Sequence, residues 1–321
     1  MMPTDAISLR DAYGELLLEL AAADDRIVVL DADLAQSTRT AAFKARHPER
    51  YVNVGIAEQN MVSFAAGIAL AKGIPFVNTF AAFLTRRAAD QIALSVAYPE
   101  LDVKFFGFHA GVNLGEDGAT QQSVEDLGIM QAIPGIRVYA PVDAIDLDWC
   151  MRAALATPGP TYIRLARFPS PRHLGDAVES AGYRYLRTGS GPVVLTTGTI
   201  AAEVLQAVDQ LVVESEPVAV IGVRQIKPID PHLAATLAPV AEHLAVVEEH
   251  NVHGGLADAL STALDAAGLV HRIERIGVPD RFGESGAPRA LLEHLGLAGD
   301  PLRERLQKWA ESKSNGGALQ E

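Results

Sequence analysis

The stretch "YVNVGIAEQNMVSFAAGIALAKGIPFVNTFAAFLTRRAADQI", residues 51–92, decides the fold. It opens on a short β-branched run, YVNV, and passes into Ala- and Gly-rich sequence of helical length through Ala65 to Ala71. A second apolar run, PFVNTF, follows, and then AAFLTRRAADQIALSVA from Ala81, again of helical length. Strands separated by whole helices are parallel, because each helix returns the chain to the edge it started from, and helices then cover both faces of the sheet. One acid, Glu58, stands at the mouth of the first helix among small and apolar residues. A first-turn acid is favoured by the helix dipole, so local pattern alone gives it a plain structural role.

Upstream, Ser8 with Asp11 forms a capping box that opens a helix to about Ala23, and RIVVLDAD reads as a buried strand. Downstream the alternation continues through the strands LDVKFFGF, IRVYAPVD and TYIRLAR, with AIDLDWCMRAALA as a helix between the last two. Residues 168–191 collect Pro, Gly and Ser with little periodicity and read as a linker with an irregular lead-in. Beyond them PVVLTTG, PVAVIG, HLAVVEEH and HRIERIG are strands between helical segments. The expected architecture is α/β, with two doubly wound domains: residues 1–170, a linker over 171–190, and residues 191–321, whose tail ESKSNGGALQE reads as frayed.

Composition bounds the function. With 321 residues and 49% hydrophobic composition the chain can bury a sizeable core. The 27 basic against 40 acidic residues, a net charge of -13, argue against a nucleic-acid or anionic-membrane partner. Phosphorylated small molecules stay open, because a pocket needs only a few local donors. The single Cys150 makes no internal disulfide and fits no metal-ligand spacing, which points to a reducing cytoplasm. The opening MMPTDAISLRDAYGELLLEL has no basic segment leading into an apolar one, so neither export nor a membrane span is expected.

There is no Walker loop, no GxGxxG after a first strand, no HExxH and no GxSxG elbow. The chemistry must then lie in polar and aromatic residues at strand ends, where open α/β sheets bind ligands. These are Asp31 and Asp33, Glu58, Phe80 and Phe83, His109, and the loop GEDGATQQSVED from Gly115. Taken singly each has a bland reading: Phe80 and Phe83 as core aromatics, His109 as a satisfied core histidine, Glu116 and Asp117 as a solvated turn.

Taken in order, residues 51–92, then HAGVNLGEDGATQQSVED, YAPVDA and GPTYIRLAR resemble the pyrimidine-binding domain of the transketolase family of thiamine diphosphate enzymes. KPID at Lys227–Asp230 and EEHNVHGGLADAL from Glu248 resemble that family's C-terminal domain, so the resemblance covers nearly the whole chain. The family's other domain holds the diphosphate and its metal with a GDG motif and a pair of Asn, and neither occurs here; GEDG at Gly115 belongs to the pyrimidine domain. The resemblance therefore implies the beta subunit of a split transketolase. A separate alpha subunit would carry thiamine diphosphate and its Mg2+ or Ca2+, in a heterotetramer of two alpha and two beta chains (α2β2), with no metal ligand from this chain.

The resemblance also assigns roles. Glu58 corresponds to the glutamate that binds a ring nitrogen of the aminopyrimidine, where a carboxylate shielded from water shares a proton with that nitrogen. Phe80, Phe83 and Arg86 would surround the ring. His109 would reach hydroxyls at the reacting end of the substrate, and Arg10 and Ser37 would bind its terminal phosphate. Three positions depart from the family pattern: Ala140 stands where an Arg is expected, Gln121 where a His is expected near the substrate, and Ala110 where an Asp often follows His109. The implied reaction moves a two-carbon ketol unit from a ketose, phosphorylated in the main reading, to an aldehyde. The alternatives are the beta subunit of a 2-oxoacid dehydrogenase or related acyl-transfer enzyme, and a scaffold subunit without catalysis.

Overall fold

The computed structural model describes residues 6–175, 182–212 and 217–312, so the tail read as frayed lies outside the described residues from residue 313 on. In the first half the strands are β1 (Ile7–Ser8), β2 (Ile27–Asp31), β3 (Tyr51–Asn53), β4 (Ile74–Phe80), β5 (Lys104–Phe108), β6 (Arg137–Tyr139), β7 (Thr161–Leu165) and β8 (Pro169–Ser170). The second half adds β9 (Tyr183–Arg187), β10 (Val193–Thr197), β11 (Ala219–Val223), β12 (Gln225–Lys227), β13 (Leu244–Asn251) and β14 (Ile273–Val278). They form a seven-stranded sheet in the order β12-β6-β7-β5-β4-β2-β3 and a five-stranded sheet in the order β14-β13-β10-β11-β9. β1 and β8 pair antiparallel on their own and bring the two ends of the first domain together. The α/β class and the order of two domains are as the sequence indicates.

The first sheet explains the apolar runs. Every residue of β4, β5 and β7 is buried, as expected of parallel strands covered on both faces. Of the two polar residues in β4, Asn78 and Thr79, Asn78 is fully paired: its Nδ2 donates to the Phe76 and Leu30 carbonyls at 2.8 and 3.1 Å, and Tyr13 Oη donates to its Oδ1 at 2.5 Å. Helix α1 (Leu9–Ala23) starts where the capping pair predicts, the Asp11 amide donating to Ser8 Oγ at 3.2 Å and the Ser8 hydroxyl donating to Asp11 Oδ2 at 2.5 Å. Helix α2 (Ala41–Arg46) is short, and α3 (Glu58–Leu70) and α4 (Ala81–Arg87) flank β4. Because β3 and β4 lie on opposite sides of β2, the strand order reverses there, and the carboxyl ends of the strands at such a reversal are where open α/β sheets bind ligands.

Three features differ from the sequence reading. The helix expected over residues 81–97 is broken at Ala88, resumes as a short α turn over Ala89–Gln91 and widens into a π turn, Ile92–Ala97, after which the Tyr98 amide donates to the Ala93 carbonyl at 2.9 Å. An extra residue per turn changes no residue type, so the pattern does not register it. The stretch read as linker contains β9, an antiparallel strand of the second sheet. Its alternation is masked by Arg184, which is buried against Asp143 and, at 2.8 Å, Asp146. Finally, β12 lies in the second half of the sequence but completes the first sheet, pairing antiparallel with β6. One apolar cluster likewise runs through both halves, joining Leu127, Met130 and Ile133 to Ile226, Leu256 and Leu260.

Candidate active site

Glu58 is the first residue of α3, preceded by Ala57, which offers no side-chain cap. It is 4% exposed, so its carboxylate lies out of water. Arg87, the last residue of α4, donates from Nη1 to both carboxylate oxygens at 3.1 and 3.2 Å. The same guanidinium sits 4.0 Å from the centre of the Phe83 ring, one helical turn back on α4. Phe80 ends β4, and its ring is stacked on Phe83 with centroids 5.4 Å apart. A buried carboxylate beside an aromatic wall is a place for a flat, nitrogen-containing ring.

Phe80 also touches the next group. The His109 ring lies 4.5 Å from the Phe80 ring, directly after β5, with a backbone φ of 59°. That left-handed conformation is uncommon outside Gly and marks a residue held by its surroundings. His109 is 2% exposed, and neither ring nitrogen has a hydrogen-bond partner among the described residues. Burial, reinforced by the positive charges of Arg10, Arg167 and Arg39, pushes its pKa down to about 3, so the imidazole is neutral at physiological pH. A neutral imidazole can donate from one nitrogen and accept at the other, which suits neighbouring hydroxyls.

The arginines form the far end of the site. Arg10 and Arg167 line a cleft of about 340 Å³ with Asn113, Asp117 and Pro288, and the buried Nε of Arg10 has no partner there. Arg167 Nη1 reaches Asp117 Oδ2 at 3.3 Å, and Arg39 Nε donates to Asp11 Oδ1 at 2.5 Å. Arg10 is held below its usual pKa by burial and by Arg39, a charge excess that an anionic group would relieve. Ser37 is half-buried in the neighbouring loop, its amide donating to the Leu34 carbonyl at 2.8 Å. That loop is organised by Asp31, which accepts from the Leu34 amide at 2.5 Å and from the Thr38 and Thr40 hydroxyls at 2.6 and 3.0 Å. Burial still holds the Asp31 pKa above the usual carboxylate range.

Two expected residues face elsewhere. Arg86 is turned onto the loop 120–125, bonded to Glu125 and to the Gln122 and Thr120 carbonyls at 2.9 and 3.4 Å; Arg87 is the residue on Phe83. The half-buried Gln121 accepts from the Thr120 hydroxyl at 2.9 Å, while its neighbour Gln122 is the one buried. Arg87, Arg167 and Arg39 were not anticipated. Spacing offers no signal that separates Arg86 from Arg87, since they are three and four residues after Phe83 and both spacings share a helix face. Ala140 is fully buried, its carbonyl accepting from the Thr197 hydroxyl at 3.0 Å, which leaves that position to domain packing.

The residues present fit the pyrimidine end of the cofactor that the resemblance implies: a carboxylate out of water for a ring nitrogen, and the stacked pair Phe80 and Phe83 as an aromatic wall beside it. Among the described residues no group of three His, Cys, Asp or Glu is placed to hold a metal ion. Nor is any described helix long and apolar enough to cross a membrane.

Comparison with known proteins places the chain in a family. Residues 5–169 match the family profile described as transketolase, pyrimidine binding domain, and residues 182–301 match transketolase, C-terminal domain. A putative transketolase C-terminal section from Methanocaldococcus jannaschii is 36% identical over 305 residues, covering 94% of this chain and 95% of that protein. A 6-deoxy-6-sulfo-D-fructose transketolase subunit from a Clostridium species is 39% identical, covering 95% of each. Human transketolase is 34% identical, and the match covers 94% of this chain but 49% of the human one. Among solved structures, a split gene transketolase, described as an inactive beta4 tetramer, superposes with a TM-score of 0.82 at 36% identity, covering 95% of this chain and 99% of that one.

Proposed function

The chain belongs to the transketolase family, and from that premise we propose that it is the beta subunit of a split transketolase, inert alone and active with a separate alpha-type subunit. The observation that carries the reading is the line of contacts Glu58–Arg87–Phe83–Phe80–His109, whose last member feels the charges of Arg10 and Arg167. It offers in order a carboxylate for a ring nitrogen, an aromatic wall, a neutral imidazole and a cationic cleft. Thiamine diphosphate, when bound, supplies the carbon nucleophile for ketol transfer. Glu58 holds the proton shared with a ring nitrogen of the aminopyrimidine, and Phe83 and Phe80 fix the plane of the ring and exclude water. The diphosphate and Mg2+ or Ca2+ fall to the partner.

For the substrate, His109 takes the hydroxyls near the reacting carbon, and Arg10, Arg167 and Ser37 take an anionic terminal group. A phosphorylated ketose is our main reading; the Clostridium relative, named for a sulfonated sugar, supports an anionic terminus of either chemistry. Gln121 is read as a substrate-side residue only if it turns away from Thr120, to which its amide oxygen is bonded here. A partner is supported by relatives of this length being named a section or a subunit of a transketolase. Apolar side chains exposed around α3 and the π turn, Ile56, Phe64, Leu94 and Tyr98, support the face on which it docks. An α2β2 assembly in the cytoplasm completes the proposal. Co-purification with an alpha-type subunit, followed by ketol transfer assays over ketose donors and aldehyde acceptors, tests it: Glu58→Ala is expected to abolish transfer, and full activity in that variant overturns the assignment.

A further inference from the structure

The loop that follows His109 is built around a carboxylate from the other domain. Glu249, on β13, is 3% exposed. Its Oε1 accepts from the amides of Val112 and Asn113, each at 2.7 Å, and its Oε2 accepts from Asn113 Nδ2 at 3.1 Å. The amides of the loop can be accounted for completely: Ala110 donates to the Leu165 carbonyl at 3.1 Å, Gly111 to the Ser123 carbonyl at 2.6 Å, and the next two to Glu249. Gly111 has no room for a side chain, since a Cβ there would lie 2.3 Å from Glu249 Oε1. The backbone beneath the clamp is tied down too, Arg164 Nη2 donating to the Glu249 carbonyl at 2.7 Å while Arg164 Nε holds Asp126 at 2.9 Å. From the same loop, Asn113 Oδ1 accepts from the Arg167 amide at 3.4 Å. One carboxylate thus governs the chain between His109 and the cationic cleft.

We propose that Glu249 is a positioning residue for substrate binding: its carboxylate fixes the Ala110–Asn113 loop and through it the ring of His109, so that the C-terminal domain sets the donor site. The inference rests on the reading of His109 as a substrate-binding residue. Burial raises the Glu249 pKa to about 7 against Arg164 and the three N–H donors, so the clamp is held at an electrostatic cost that simple packing would not require.

The test uses the reconstituted alpha–beta complex and the variants H109A, E249A, E249Q and H109A/E249A. Donor KM, kcat, thiamine diphosphate affinity by calorimetry and thermal midpoint are measured for each. H109A and E249A are each expected to raise donor KM on the order of 10- to 100-fold, more than they lower kcat, because displacement of a binding group by about an ångström has that effect. Cofactor affinity is unchanged, E249Q falls between wild type and E249A because its amide oxygen still accepts from both backbone amides while its NH2 meets Asn113 Nδ2, and the double variant is no worse than H109A. A normal KM in E249A beside an impaired H109A overturns the proposal alone, whereas a normal KM in H109A overturns the reading of His109 and the proposal with it. E249Q failing as E249A does, with parallel losses of midpoint and cofactor affinity, assigns Glu249 to general stability and also overturns it. If E249A does not assemble, N113A, which removes one donor and leaves the backbone clamp, is expected to raise KM by a smaller factor; an unchanged KM there counts against the proposal.

Discussion

Arg87 and Glu58 form a two-point ion pair, 3.1 and 3.2 Å from one guanidinium nitrogen to both carboxylate oxygens, across the gap between α3 and α4. Arg87 is half-exposed and Glu58 almost wholly buried, so removing the arginine strands a carboxylate in a dry setting. Arg87→Ala is therefore expected to destabilise the isolated chain by about 1–3 kcal/mol. Urea unfolding of the two proteins measures it. Arg87→Lys recovers part of the loss, since an ammonium pairs with Glu58 but stacks poorly on Phe83.

A buried neutral His109 makes stability depend on pH with a definite sign. Its pKa falls from 6.5 in the unfolded chain to about 3 in the folded one, so between these values the unfolded state binds more protons. Stability contributed by this group is present above pH 6.5 and is lost progressively on acidification, by about 2 kcal/mol at pH 5. Replacing His109 with Gln is expected to flatten that part of the profile. Denaturation at pH 7.5 and pH 5 provides the comparison; an unaltered slope in the variant refutes the assignment.

The charged network between the sheets should be the most sensitive structural element. Arg184 and Arg224 are buried with Asp143 and Asp146, Arg224 Nη1 lying 3.0 Å from Asp146 Oδ1 and its guanidinium 4.1 Å from the Trp149 ring. Arg184→Met leaves two buried carboxylates short of a cation and is predicted to cost about 3–5 kcal/mol. A drop in thermal midpoint with Tyr and Trp signals changing together reads this out. Arg187→Ala, at an exposed pair with Asp209, is the control and should stay within about 1 kcal/mol of wild type.

The exposed apolar side chains on α3 and the π turn give a prediction for assembly. Phe64→Glu combined with Leu94→Glu is expected to leave the fold of this chain intact and to abolish co-elution with an alpha-type subunit. Size-exclusion chromatography with light scattering decides it; an unchanged complex mass places the partner on another face.

What the sequence made legible follows from how its information is distributed. Buried parallel strands such as β4 and β5 are continuous apolar runs, and the capping pair Ser8–Asp11 is local, so both can be read directly. Glu58, Phe80, Phe83 and His109 are visible because they interrupt or end such runs. The Arg86–Arg87 choice could not be made from the sequence, because the two adjacent arginines, three and four residues after Phe83, both share its helix face. Arg184 concealed β9, since a charge is usually read as a solvated loop and the acids that neutralise it lie 41 and 38 residues away. Glu249 is separated from Val112 by 137 residues, beyond the reach of any local pattern.

The short strand β12 carries a consequence for biosynthesis. Until Gln225–Lys227 has left the ribosome, β6 has no neighbour on its outer side, and the first sheet keeps an open row of backbone donors and acceptors. The amino-terminal half is thus an unfinished sheet that its own carboxyl-terminal half must close. Expressed as residues 1–170, it is expected to recruit a second copy of itself along that edge and to precipitate, and a fused strand with the sequence of β12 should restore it to solution.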